Sequence, residues 1–158
     1  MTTLHDLLKA RFNMVRQDFA EVLDQLSDEE LAWAPADGMR SIAGQLFEIA
    51  GKEVEGVQWI RTGAWPDEFD ESEAPETLAG WRNLFSDLRA GTFAYLDSLD
   101  EVALNQPIIC PEGWWEALRL TSCPRHEAFR NIAMHEWYHT GQLVTYLGMK
   151  GSDHYPLD

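Results

Sequence analysis

The chain has 158 residues, 45% of them hydrophobic, which is the size and make-up of one ordinary globular domain with a full apolar core. Its 12 basic and 27 acidic side chains leave a net charge of -15, which argues against nucleic acid or an anionic membrane as a direct partner. Cys110 and Cys123 are too few for a disulfide framework, the first ten residues lack a signal-peptide core, and no apolar run approaches the ~18–20 residues that span a bilayer, so a soluble, cytoplasmic protein is expected.

Apolar residues recur at helical spacing from Thr3 to Leu26, on Leu4, Leu8, Phe12, Val15, Phe19, Val22 and Leu26. Ser27 is set to cap a short following turn, with Glu30 completing a capping box. Residues 33–38 read as a loop. Ser41 is the expected N-cap of a second helix running to about Thr62, with a stripe of Ile42, Leu46, Ile49, Val57 and Ile60. The acidic stretch from Gly63 to Pro75 contains two prolines and reads as an exposed crossover. The third helix fits Glu76 to about Leu99, weakened locally by Gly91. Residues 105–124 hold Pro107, Pro111, Gly113 and Pro124 and read as irregular. A short strand within Val102–Ile109 is conceivable, but no sheet is expected. The last helix fits Arg125 to Leu147, with Gly148 or Gly151 as its stop. Four long amphipathic helices over residues 1–158 imply a single all-α domain, a four-helix bundle with a long crossover between helices 2 and 3.

The most informative run is His135-Glu136-Trp137-Tyr138-His139-Thr140-Gly141-Gln142. At 100° per residue, Ala128, Ile132, His135, His139, Leu143 and Tyr146 share one stripe of the last helix. Two imidazoles about 6 Å apart along the axis, on the inward face, can hold one metal ion. Each buried imidazole needs a polar partner, and a shared metal serves both.

The letters H-E-x-x-H also spell the zinc-protease signature. That reading fails on the third ligand. The longer protease motif needs a histidine where Thr145 stands, no glutamate follows Glu136, and His154 lies in a short tail. A bundle can instead draw its third ligand from a facing helix. The second helix offers Glu48, Glu53 and Glu55. Periodicity does not choose among them: Glu48 sits at the margin of the apolar stripe and Glu53 nearer its centre.

The run from His135 to Leu143 resembles the histidine pair and Gly-Gln ending of the DinB-like family (DinB/YfiT-like metalloenzymes). Residues Arg40 to Glu53 are similar to that family's second-helix motif, and Leu31 to Pro35 to its short pre-helix motif. The resemblance implies a bundle of up-down-down-up order, often a homodimer. It also implies a divalent metal held by three side chains of the second and fourth helices, which by position are Glu48, His135 and His139. The family usually has histidine at position 48. A two-histidine, one-carboxylate set suits zinc or nickel, and also manganese or iron.

The resemblance suggests metal-assisted hydrolysis or transfer of a low-molecular-weight thiol, on a small-molecule substrate. The alternative is a non-catalytic metal-binding or stress-related interaction module. Glu136 reads as a solvated or subunit-interface glutamate ahead of a base near the metal. Gln142 is placed to orient a ligand or to bond a neighbouring helix. Trp137 faces away from the histidines and suggests a subunit contact or loop cover by Trp114 or Trp115. His5, His126 and His154 read as surface or terminal residues, and both cysteines as buried or incidental thiols.

Overall fold

The computed structural model describes residues 2–64, 68–110 and 119–151. Its four long helices are α1 (Leu4–Leu23), α2 (Ile42–Thr62), α3 (Leu78–Asp97) and α5 (Arg125–Met149), with the single-turn α4 (Glu101–Asn105) between the last two. The expected all-α bundle is what the chain forms. The helix α5 packs most extensively on α1 and α2, and α3 packs against α2 and α1.

Local chemistry sets the helix ends. Thr3 caps α1 by accepting from Asp6 N at 3.1 Å, and Ser41 caps α2 by accepting from Gly44 N at 3.1 Å. The capping pair at Ser27 forms, its N–H donating to Glu30 Oε2 at 2.7 Å. Gly63 ends α2 at φ +73°, a left-handed conformation that favours glycine. Of the two stops expected after α5, Gly151 is the one past the helix end, at φ +85°, whereas Gly148 lies inside the helix.

Two expectations need correction. A sheet does form: β1 (Pro107–Ile109) pairs antiparallel with β2 (Ser122–Pro124), Ile108 opposite Cys123. These runs carry too few residues for a period to show, and their pairing is fixed by tertiary contacts. Ile108 and Cys123 point into the core, and the Trp59 indole N–H donates to Ile109 O at 2.9 Å. The crossover after α2 is also not simply exposed. Phe69 is buried against α2, where its ring meets Phe47 at 5.2 Å and its N–H donates to Glu55 Oε1 at 3.0 Å. The segment 111–118, with Pro111, Gly113, Trp114 and Trp115, lies outside the described residues, as does His154.

The apolar core has two parts. One gathers Phe19, Leu46, Ile49, Trp81, Phe85 and Leu143, and the other Phe12, Trp59, Ile60, Leu96, Phe129 and Ile132. Along each long helix a charged residue falls between the two: Arg16, Glu53, Arg89 and Glu136. They form one network, in which Glu53, Arg89 and Glu136 are buried and Arg16 is partly so. Arg89 donates from Nε to Glu53 Oε1 at 2.9 Å and from Nη2 to Glu136 Oε2 at 2.6 Å. Arg16 donates from Nε to Glu136 Oε1 at 2.7 Å and from Nη2 to Glu53 Oε2 at 3.1 Å. The third nitrogen of each guanidinium also donates, Arg89 Nη1 to Phe12 O at 3.0 Å and Arg16 Nη1 to Phe85 O at 2.8 Å. Burial by itself would raise the Glu53 carboxyl, but the two guanidinium groups and the Thr92 hydroxyl hold it below the usual carboxylate range.

Removing one partner from such a network strands buried charge, so Arg89→Met should lower unfolding free energy by about 3–5 kcal/mol. Urea denaturation at neutral pH checks this; a loss near zero would show that the network is not a structural element.

Candidate metal centre

The start of α2 and the middle of α5 meet at the expected site. Further along α2, Gly56 packs directly on α5, where a Cβ would sit 2.7 Å from Ile132 Cγ1. One ligand atom each from Glu48, His135 and His139 lie within 4.8 Å of one another. Among the described residues this is the cluster of histidine, cysteine and carboxylate groups able to hold a metal ion. Of the three α2 glutamates that the sequence left open, Glu53 belongs to the charged network and Glu55 holds Phe69; Glu48 faces the histidines.

The donor geometry fits a cation. His135 Nε2 and His139 Nε2 are 3.3 Å apart. Two nitrogens bound to one tetrahedral zinc at about 2.0–2.1 Å would be separated by about 3.3 Å. Glu48 stands further off. Its Oε1 accepts from Arg40 Nη2 at 2.6 Å, and its side chain is one-third exposed, with room to turn. Burial of His135, with the positive charges of Lys52 and Arg40 and the second imidazole nearby, pushes its pKa down to about 3. Burial also lowers His139, against the opposing pull of Glu48 and Gln142. Both rings are therefore neutral near pH 7, the form that ligates metal.

Three neighbours of the site had been given no role from the sequence. The carboxamide of Gln45, 3% exposed, places Oε1 2.5 Å from His139 Nδ1 and Nε2 3.0 Å from the Tyr146 hydroxyl. That hydroxyl lies 3.0 Å from Arg40 O. Gln45 and Tyr146 each share a helix face with a candidate ligand, which was a usable signal; their contact with each other was not visible. Lys52, one turn beyond Glu48, is the third. Burial lowers its pKa to about 7 although Glu55 and Glu48 both favour its charge.

Other expectations divide. Glu136 is neither solvated nor at an interface: it is buried in ion pairs with Arg16 and Arg89. The reason is rotational. Position 136 points 100° away from position 135, into the centre of the bundle. His5 is not a plain surface residue, since its Nε2 lies 2.7 Å from Leu99 O and 3.1 Å from Leu96 O at the end of α3. His126 stays apart from the site, near Glu127. Trp137 does face away from the histidines, 53% exposed beside Met134 and Met14. Cys110 and Cys123 are free, buried thiols.

With that geometry in place, comparison with known proteins is informative. The sequence model of the DinB superfamily matches residues 11–143. The chain belongs to the DinB superfamily. No curated protein sequence matches it. Among solved structures, a conserved protein from Enterococcus faecalis is similar at 19% identity with a TM-score of 0.57, over 90% of this chain and 94% of that one. A mycothiol-dependent maleylpyruvate isomerase is similar at 20% identity with a TM-score of 0.58, over 90% of this chain. The DinB chain spans only 63% of the isomerase's length. At these identities the likeness is one of fold.

The lowered His135 pKa has a measurable sign. Between its folded value of about 3 and the unfolded value of about 6.5, the unfolded chain binds a proton that the folded chain does not. Stability of the metal-free protein should therefore fall as pH is lowered through that window. His135→Leu should flatten the dependence, as read by urea midpoints across the range; an equally steep profile in the variant would show that this imidazole is not the group responsible.

Proposed function

We propose that this DinB protein binds a divalent metal ion through Glu48, His135 and His139 and uses it for hydrolysis or thiol transfer on a small molecule. The observation that carries the reading is the convergence of two neutral imidazoles and one carboxylate within 4.8 Å. Zinc or nickel suits the donors best, and manganese or iron is compatible with them. Such an ion, held by three protein ligands, supplies Lewis acidity to a water, thiol or carbonyl in its open position.

The chain's own groups have separate roles in this proposal. His135 and His139 present Nε2 from successive turns of α5, and Glu48 brings negative charge from α2. Arg40, paired with Glu48, and Lys52, about half protonated near pH 7, place positive charge at the same site, which suits a substrate bearing an anionic group. Thiol transfer is supported, at the level of fold, by the similar protein named for its dependence on mycothiol. Glu136, locked between Arg16 and Arg89, is not available as a base.

Protein purified without a histidine tag and reconstituted with zinc should hold about one equivalent by elemental analysis. His139→Ala should abolish binding, and Glu48→Ala should weaken it by at least tenfold. Near-zero metal in the parent protein, or undiminished stoichiometric binding by His139→Ala, would sink the site. Loss of turnover of thiol–electrophile pairs, or of small amides and esters, in the same variant would separate an enzyme from a passive metal binder.

A further inference from the structure

The hydrogen bonds behind His139 form a chain whose protons can be placed from its far end, with Gln142 a further polar neighbour of the ring. It begins at Arg40 O, a carbonyl, which can only accept. The Tyr146 hydroxyl, 3.0 Å away, must therefore donate to it. With its one proton spent, the Tyr146 oxygen is left to accept, and the group facing it at 3.0 Å is the Gln45 amide. Gln45 must turn its NH2 toward Tyr146, which points Oε1 at His139. An amide oxygen only accepts, so at 2.5 Å His139 Nδ1 must carry a proton. Neutral imidazole has one proton, so His139 Nε2 keeps its lone pair and aims it at the metal cluster. Gln45, Tyr146 and His139 are each more than nine-tenths buried, so water cannot readily substitute for a member of the chain.

We infer that Gln45 and Tyr146 are positioning residues that fix the tautomer of His139 and so preset its Nε2 as a ligand. The inference adds a supporting layer to the metal site proposed above, and its first part holds without any metal. It also makes the two histidines unequal. His135 Nε2 lies 3.3 Å from the bare Nε2 of His139, so His135 carries its proton on Nε2 and donates it there. Its own Nδ1 is buried with no hydrogen-bond partner among the described residues. Nothing holds the His135 tautomer from behind. His139 is the fixed ligand and His135 the adjustable one, whose proton shifts to Nδ1 when Nε2 is needed for a cation.

The test is long-range 15N–1H correlation of the imidazoles in metal-free protein at neutral pH, which reports the protonated nitrogen of each ring. Wild type should show His139 protonated at Nδ1 and His135 at Nε2. Tyr146→Phe removes only the hydroxyl and should leave His139 as a mixture of tautomers. Gln45→Leu should abolish the Nδ1–H form, and Gln45→Glu, which offers an acceptor whichever way it turns, should restore it. His139 protonated at Nε2 in wild type, or a spectrum unchanged in Tyr146→Phe and Gln45→Leu, would overturn the assignment. In zinc titrations Tyr146→Phe should bind about tenfold more weakly, the scale on which such supporting partners act. Unchanged affinity would overturn the presetting role. Failure of the wild type to bind zinc would instead overturn the metal site itself, with the tautomer judged on the spectrum alone.

Discussion

The buried network of two arginines and two glutamates is the constraint on which the rest of this bundle depends. One charged residue comes from each long helix, so none of the four can rotate or slide without stranding a charge. Apolar packing on either side is permissive by comparison, because leucine and phenylalanine contacts tolerate small shifts that a hydrogen-bonded carboxylate does not. Whether buried ion pairs add net stability varies between proteins, and fixing register is their better-attested use. Here the register has a direct consequence. Glu136 pulled toward Arg16 and Arg89 leaves His135 and His139 turned toward the start of α2, where Gln45 and Glu48 stand.

One helical turn of α5 therefore serves two purposes in two directions. Glu136 belongs to the core and the flanking histidines to the site. The same letters that spell a protease motif are here divided between structure and chemistry. Further along the same pair of helices, Gly56 lets α2 pack closely on Ile132 of α5.

Much of this was legible in the sequence. Long helices announce themselves through a 3.6-residue period, and the stripe holding Ala128, Ile132, His139, Leu143 and Tyr146 is buried as its spacing requires. The histidine pair was legible for the same reason, since i and i+4 always share a face. Glu48 was not, because a helical wheel ranks residues by mean direction, and a candidate ligand at the stripe's margin is indistinguishable there from a solvated residue. Only the resemblance to a known family singled it out. Buried charge was the main blind spot. Arg89 and the partly buried Arg16 look like surface residues by type, and although Glu53 lay near the centre of its stripe, its partners on the other helices were not visible. The sheet was missed, although a short strand ending at Ile109 was allowed for, because three residues cannot display alternation, and Phe69 was missed because a lone aromatic in an acidic crossover carries no period.

The ion pair between Arg40 and Glu48 bears on how this protein meets its environment. A carboxylate facing two neutral imidazoles, with a neighbouring lysine only partly protonated near pH 7, calls for a full counter-charge. Here the chain supplies one from its own sequence, immediately before the helix begins. The surrounding core is complete on its own, with apolar clusters on both sides of a satisfied polar layer. Small zinc domains fold only when loaded, because the metal stands in for a core they lack. This chain is built otherwise: its long helices are held by two apolar clusters and a layer of paired charges, none of which draws on the Glu48, His135 and His139 cluster.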